Sequence, residues 1–207
     1  MKTKQKIINK ALELYNVYGL DKVEVRQLAD QMDLNSGNIT RHFSKKEYLA
    51  NAIAFQFSEK NNLLWQNENL PTLPTGQAGG QAGNNLKDFF SLLKSYMLLQ
   101  TQYRCLFISF ANLQTHHPEI AERNKKEEEA RKIIIGDTIA AMTKNGELKK
   151  LSKKENDFLI HHILLILKFW ISEALISHPK EKTEVQINYF LQLIKELLGP
   201  YKKIVQS

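Results

Sequence analysis

The sequence predicts an all-α chain. Three observations carry that expectation. Apolar residues recur at helical spacing through most of the length, the chain holds 28 leucines against five valines, and only nine glycines and five prolines occur in 207 residues. Leucine and lysine are good helix formers, whereas β-branched valine favours strands. With 43% hydrophobic and 25% charged residues, the composition is that of a globular chain and excludes wholesale disorder. The length fits one or two domains at roughly 150 residues each.

About nine helices are expected, from periodicity and from start and stop signals. The first spans residues 3–18, where Ile7, Ile8, Ala11, Leu12, Leu14, Tyr15 and Tyr18 share helical spacing and Gly19 stops it. A short second helix over 25–32 puts Val25, Leu28, Ala29 and Met32 on one face, before Asp33 and Leu34 break the pattern. The third opens at Asn35 or Ser36, both good amino-terminal caps, and runs to about residue 42. Ser44-Lys45-Lys46-Glu47 reads as a capping box opening a fourth helix that carries Tyr48, Leu49, Ala52, Ile53 and Phe57.

Residues 67–85 are low in complexity, with Gln-Ala-Gly twice, and read as a surface loop. Their glycines match no phosphate-cradling spacing. Helices follow over 86–100 and 103–114. Pro118 begins a polar helix that turns apolar near Ile133 and stops near Gly146. Ser152-Lys153-Lys154-Glu155 and Thr183-Glu184-Val185-Gln186 read as capping boxes for helices reaching about 178 and 198.

Composition narrows the function classes. One cysteine, Cys105, excludes an internal disulfide framework and multi-cysteine metal sites, and buried packing is its expected role. The basic amino terminus lacks an apolar core and is not a secretory signal. The apolar stretch 158–176 contains His161, His162, Lys168 and Glu173, so it reads as a buried helix and not a membrane span, and the expected location is the cytoplasm. The adjacent pairs His116-His117 and His161-His162 point about 100° apart on a helix and chelate a metal poorly. No paired carboxylates, nucleophile elbow or dinucleotide fingerprint appears, so neither enzyme activity nor a cofactor is expected. The charge run 123–132 reads as a solvated helix face with the pairs Glu127–Arg131 and Glu128–Lys132. The net charge is +7, and residues 1–48 hold nine basic and six acidic side chains, a mild bias suited to an anionic partner.

Residues 25–42 have helix-turn-helix spacing. Ala29 sits where two helices press together. Asp33 falls at the turn position that wants a left-handed backbone, which aspartate tolerates better than most residues. Leu34 and Ile39 point back into the small core. The wider pattern is more specific: Ile8…Ala11…Leu14…Gly19, then Arg26-Gln27-Leu28-Ala29, then Leu34 to Leu49, with its His42-Phe43-x-x-Lys46-Glu47-x-Leu49 run. This resembles the DNA-binding domain of the TetR family of bacterial one-component transcriptional regulators, most closely over residues 5–53.

The resemblance implies a helix-turn-helix head over residues 1–48 and a larger helical body over 49–207 that binds an effector and dimerises. It implies a homodimer on an inverted-repeat operator in double-stranded DNA, most simply a repressor released by a small, largely apolar effector. Residues 36–42 would form the recognition helix, so the expected DNA-facing set is Lys4, Arg26, Asn35, Ser36, Gly37, Asn38, Thr40, Arg41, His42 and Lys46. Asn38 suits adenine, Arg41 suits guanine, and Thr40 suits a thymine methyl or a phosphate. His42 has two readings, a buried spacer beside Phe43 or a base reader.

Many family members carry tyrosine where this chain has Thr40; Arg41 could offset that lost phosphate contact. The departure also keeps open a helical protein-interaction module whose head no longer binds DNA. Most aromatic residues read as core, but Phe90, Tyr96, Phe107, Phe110 and Phe169 are candidates to line the effector cavity. The helix over 152–178 is apolar nearly all round and must be covered on every side. Leu167, Trp170, Leu191 and Ile194 are therefore expected at the dimer interface.

Overall fold

A computed structural model describes residues 3–65 and 85–203. The loop expected over 67–85 lies, but for Asn85, outside the described residues. Among them are ten α-helices: α1 (Thr3–Tyr18), α2 (Val25–Asp30), α3 (Ser36–Thr40), α4 (Lys46–Trp65), α5 (Leu86–Gln102), α6 (Arg104–Ile108), α7 (Phe110–His116), α8 (Pro118–Lys144), α9 (Lys153–Ser177) and α10 (Thr183–Leu198). A 3-10 turn, Gly199–Tyr201, follows α10. The one β feature among the described residues is an isolated bridge between Leu148 and Lys202.

The tenth helix arises because the segment expected as one helix over 103–114 divides at Ser109, whose backbone (φ −94°, ψ 17°) leaves the α region. No glycine or proline marks that break. Two expected capping boxes also fall out of register. α4 opens at Lys46, so the capping position is Lys45, which has no side-chain acceptor. α10 is preceded by Lys182 and has no side-chain cap, leaving Thr183 inside the first turn. The box at α9 forms as expected: Ser152 Oγ accepts from the Glu155 N–H at 3.3 Å, and the Glu155 carboxylate accepts from the Ser152 N–H at 2.8 Å. α8 ends in a Schellman motif, with Gly146 at φ 81°, its N–H donating to Thr143 O and the Glu147 N–H donating to Met142 O.

The chain packs as two units interleaved in sequence: Met1–Lys60 with Gln102–Lys125, and Asn61–Thr101 with Lys126–Ser207. In the first, Ile7, Ala11, Leu28, Ile39, Leu49 and Ile53 are buried, each contributing about 1.5–3 kcal/mol where the side chain is large. Phe57 meets Tyr103 and Phe107 edge-on, with centroids 5.5 and 5.3 Å apart. Asn16 ties α1 to the start of α6: its amide donates to Gln102 O at 2.8 Å, and its Oδ1 accepts from the Cys105 N–H at 3.0 Å. Cys105 is buried, and burial pushes its thiol up to about 12.

In the second unit, α9 supplies the deepest stripe, Leu159, Ile163, Leu167, Trp170 and Ala174, against Ile187, Phe190 and Ile194 of α10. Trp170 lies 5.9 Å from the Phe190 ring, and its indole N–H donates to Gln100 Oε1 at 2.7 Å. Leu167, Trp170 and Ile194, expected at a dimer interface, are therefore core residues with no surface left for a partner, while Leu191 is half-buried. The outward face of α9 is apolar as well, carrying Phe158, Leu165, Phe169 and Ile176, all exposed. α9 is also the one described helix long and apolar enough to cross a membrane.

Candidate nucleic-acid interface

Residues 25–40 form two short helices joined by a tight turn. Ala29 is buried at their junction, and its carbonyl accepts from the N–H groups of Met32 and Leu34, both at 3.0 Å. The chain reverses at Asp33, the one described non-glycine residue with positive φ (52°). The sequence expectation for that position is met: a left-handed residue with a short polar side chain, at modest strain.

α3 is shorter than expected, ending at Thr40, with Arg41 and His42 in the turn beyond it. Asn35 caps it, Oδ1 accepting from the Asn38 N–H at 2.9 Å. A Cβ on Gly37 would stand 3.2 Å from that same oxygen, so glycine keeps room for the cap. Ile39 is the one fully buried residue of α3 and anchors it with Phe43. Ser36, Gly37, Asn38 and Thr40 are exposed, as are Asn35, Arg41 and His42. The buried-spacer reading of His42 is thus overturned: Phe43 alone of that pair turns inward. Thr40 Oγ1 donates back to Gly37 O at 3.3 Å.

One open groove of about 740 Å³ brings Lys4, Thr40, Arg41 and His42 together beside Tyr48 and Phe55. Lys4 Nζ lies 5.5 Å over the Phe43 ring. Arg26, one residue into α2, is exposed outside that groove. Lys46 is only partly exposed: its amine donates to Asp21 O at 3.0 Å and lies 3.9 Å from the Glu24 carboxylate. That tie to the α1–α2 connection has no simple sequence signal, because it joins residues 25 and 22 positions apart. The surface thus offers flexible amines, the guanidiniums of Arg26 and Arg41, and short hydrogen-bonding side chains around an exposed helix. Such a surface can pair with phosphates and base edges.

The five cavity candidates fall in both packing units. Phe107 and Phe110 belong to the first unit, where Phe107 packs on Phe57. Phe90, Tyr96 and Phe169 belong to the second. There Tyr96 is buried 5.4 Å from the Trp65 ring, Phe90 lies beside Phe89, and Phe169 faces outward from α9.

The run 123–132 departs from a solvated face. Glu127 is buried and pairs with Arg131 at 3.4 Å, as expected, but it also accepts from Asn61 at 2.9 Å. Glu128 pairs with Lys168 instead of Lys132, which pairs with Glu129. A signal for this was present. Asn61 sits midway on the Phe57–Asn61–Trp65 stripe, and Glu127 and Arg131 continue the stripe of Ile135 and Ile139.

Comparison with known proteins agrees with this geometry. The family model described as bacterial regulatory proteins, tetR family, matches residues 7–53, and the TetR model described as bacterial transcriptional repressor matches residues 71–203. No curated protein matches the chain by sequence. Among solved structures, a TetR-family transcriptional regulator from Marinobacter aquaeolei VT8 is similar over 98% of this chain and 92% of its own, with TM-score 0.82 and 17% identity. A transcriptional regulator from Rhodococcus sp. Rha1 aligns over 98% and 100%, with TM-score 0.68 and 14% identity. The ketosteroid transcriptional regulator KstR2 of Mycobacterium tuberculosis aligns over 98% and 96%, with TM-score 0.65 and 16% identity. At these identities the neighbours speak for the fold, and the family models, one covering well over half of the chain, establish the kinship. The chain belongs to the TetR family of bacterial transcriptional regulators.

Proposed function

We propose that the protein is a homodimeric repressor that holds an inverted-repeat operator through two copies of α3 and leaves it when the body binds a small-molecule effector. The observation that carries the DNA half of this reading is the division of faces on Ser36–Thr40. Ile39 anchors the helix in the core, and every other side chain faces outward, flanked by Arg41 and Lys4. Asn38 and Arg41 are the base-reading candidates. Lys4, Arg26 and Lys46 are the phosphate contacts, and Asn35 and Gly37 act by shaping and capping the helix.

The dimer surface in this reading is the outward stripe of α9 with Val185 and Tyr189 of α10. Phe158, Leu165, Phe169 and Ile176 follow a 7-4-7 spacing along one side of α9, and each is at least 41% exposed. An exposed apolar row of that length on a single subunit, broken by His162 and Glu173, is the kind of surface a second subunit covers. Phe169 thereby moves from cavity candidate to interface candidate.

The test is a gel shift with DNA flanking the protein's own gene, at low salt and with dimer confirmed by sedimentation. Retarded bands that compete with unlabelled specific DNA, and not with scrambled DNA, are expected. An intact dimer that retards neither would leave a protein-interaction module as the function.

A further inference from the structure

The second packing unit contains a buried polar cluster whose hydrogen-bonding capacity is only half used. Asn61 and Trp65 lie one turn apart on α4, and Glu127 and Arg131 one turn apart on α8. Asn61 Nδ2 donates to Glu127 Oε2 at 2.9 Å, and Arg131 reaches the same oxygen at 3.4 Å. Tyr96 of α5 closes the group, 5.4 Å from the Trp65 ring and 5.7 Å from the Arg131 guanidinium. Asn61 is 1% exposed and Glu127 7%. Yet Glu127 Oε1, Asn61 Oδ1 and Trp65 Nε1 are buried with no hydrogen-bond partner among the described residues.

Leaving such atoms unmatched carries a full desolvation penalty, and most buried polar groups in folded proteins avoid it. The same unit shows how completely a polar side chain can be satisfied. Gln100, one turn beyond Tyr96, donates to Leu167 O and accepts from Trp170, both at 2.7 Å. Gln100 is thereby fully engaged as a structural tie. The Asn61–Glu127 cluster instead keeps two acceptors and one donor in reserve between aromatic walls.

We infer that these atoms form the polar end of the effector site, and that its ligand is a small molecule carrying an amine or hydroxyl donor on a flat apolar body. The inference rests on the reading of the body as effector-binding, and it sharpens the largely apolar effector expected from the sequence. The ligand's N–H or O–H groups go to Glu127 Oε1 and Asn61 Oδ1. An acceptor on the ligand takes the Trp65 N–H. The ring lies along Trp65 and Tyr96. Glu127 is balanced by Arg131, and Glu128 by Lys168 at 2.7 Å, so the cluster holds no surplus positive charge for an anion. A carboxylate would meet two acceptors head-on.

The experiment uses the full-length dimer and four probes sharing a phenyl body: phenethylamine, 2-phenylethanol, ethylbenzene and phenylacetate. Binding is read by calorimetry and thermal shift up to millimolar concentration. Saturable binding is expected for the amine or the alcohol, and not for the hydrocarbon or the anion. Asn61→Ala and Trp65→Phe should each weaken the bound probe by about tenfold, the scale of one hydrogen bond to a charged or buried group. The triple variant Asn61→Leu/Glu127→Met/Arg131→Leu fills the site with apolar atoms and removes both members of the buried ion pair, so that neither charge is left unmatched. It should melt no lower than the unmodified protein and lose donor-probe binding. Equal binding of all four probes, binding of none, or unchanged affinity in the variants overturns the proposal. Operator binding is scored separately by gel shift. Donor probes that bind without releasing DNA would refute the effector reading and leave the ligand site standing.

Discussion

Asp33 is held at φ 52°, a region that costs a residue with a Cβ roughly 1–2 kcal/mol and a glycine almost nothing. Asp33→Gly should therefore match or exceed the unmodified protein in thermal stability. Asp33→Val should fall below it by about 1–2 kcal/mol, because a β-branched side chain has no relaxed rotamer there. Equal melting of the two variants would show that the turn does not depend on this conformation. This residue was legible in the sequence, since the spacing of Ala29 and Ile39 leaves little freedom in where the turn falls. The roles of Asn16 and Lys46 were not, because their partners become neighbours only on folding. A second residue-scale effect concerns alkali. Burial raises the Cys105 thiol from 9.0 to about 12, and burial raises the phenols of Tyr15 and Tyr96 as well. The folded state thus keeps protons that the unfolded chain releases. The resulting stability is fully present below pH 9 and is lost as pH rises from 9 towards 12. Urea melts between pH 7 and 11 should show the decline, and Cys105→Ala should remove part of it. A flat profile above pH 9 would contradict the burial of these groups.

At the scale of elements, helix existence was legible and helix register was less so. Periodicity located every helix among the described residues except the α6–α7 division. That break lies at Ser109, whose backbone leaves the α region with neither glycine nor proline to announce it. The box at α9 forms where its register is unambiguous, while the boxes at residues 44 and 183 each fail by one position, the usual error at helix ends. α9 shows the deeper limit. A helix apolar all round declares that it will be covered but not which face the subunit covers itself. Packing on α10 and the Trp170–Gln100 hydrogen bond decide that, and they turn Phe158, Leu165, Phe169 and Ile176 outward. If the proposed dimer forms through this stripe, Phe169→Glu should convert it to a folded monomer in sedimentation equilibrium, with helicity retained by circular dichroism. Leu167→Glu should instead unfold the chain, because it places a charge in the core. If Phe169→Glu stays dimeric at micromolar concentration, the interface lies elsewhere.

For the whole molecule, the proposed dimer must present both copies of α3 to successive major grooves. Half-sites should then lie about one helical turn apart, or slightly more, in an inverted repeat. In the proposed complex each subunit brings Lys4, Arg26, Arg41 and Lys46 to the duplex, so affinity should fall steeply with salt as condensed counterions are released. The structure separates two of these residues in kind. Arg41 stands exposed beyond the end of α3, whereas Lys46 is half-buried and already bonded to Asp21 O. Arg41→Ala should leave the melting temperature unchanged. If Arg41 makes a bidentate base contact, its loss costs about 1–3 kcal/mol of discrimination between operator and scrambled DNA. If it replaces the tyrosine–phosphate contact absent at Thr40, total affinity falls instead and the salt slope flattens by about one unit. Lys46→Ala should lower both DNA affinities alike. It should also lower stability, by about 1 kcal/mol for the lost hydrogen bond. Competition titrations of both variants at two salt concentrations, alongside thermal melts, distinguish these outcomes. Operator and scrambled DNA binding unchanged in both variants would mean that the duplex meets a different face of the head.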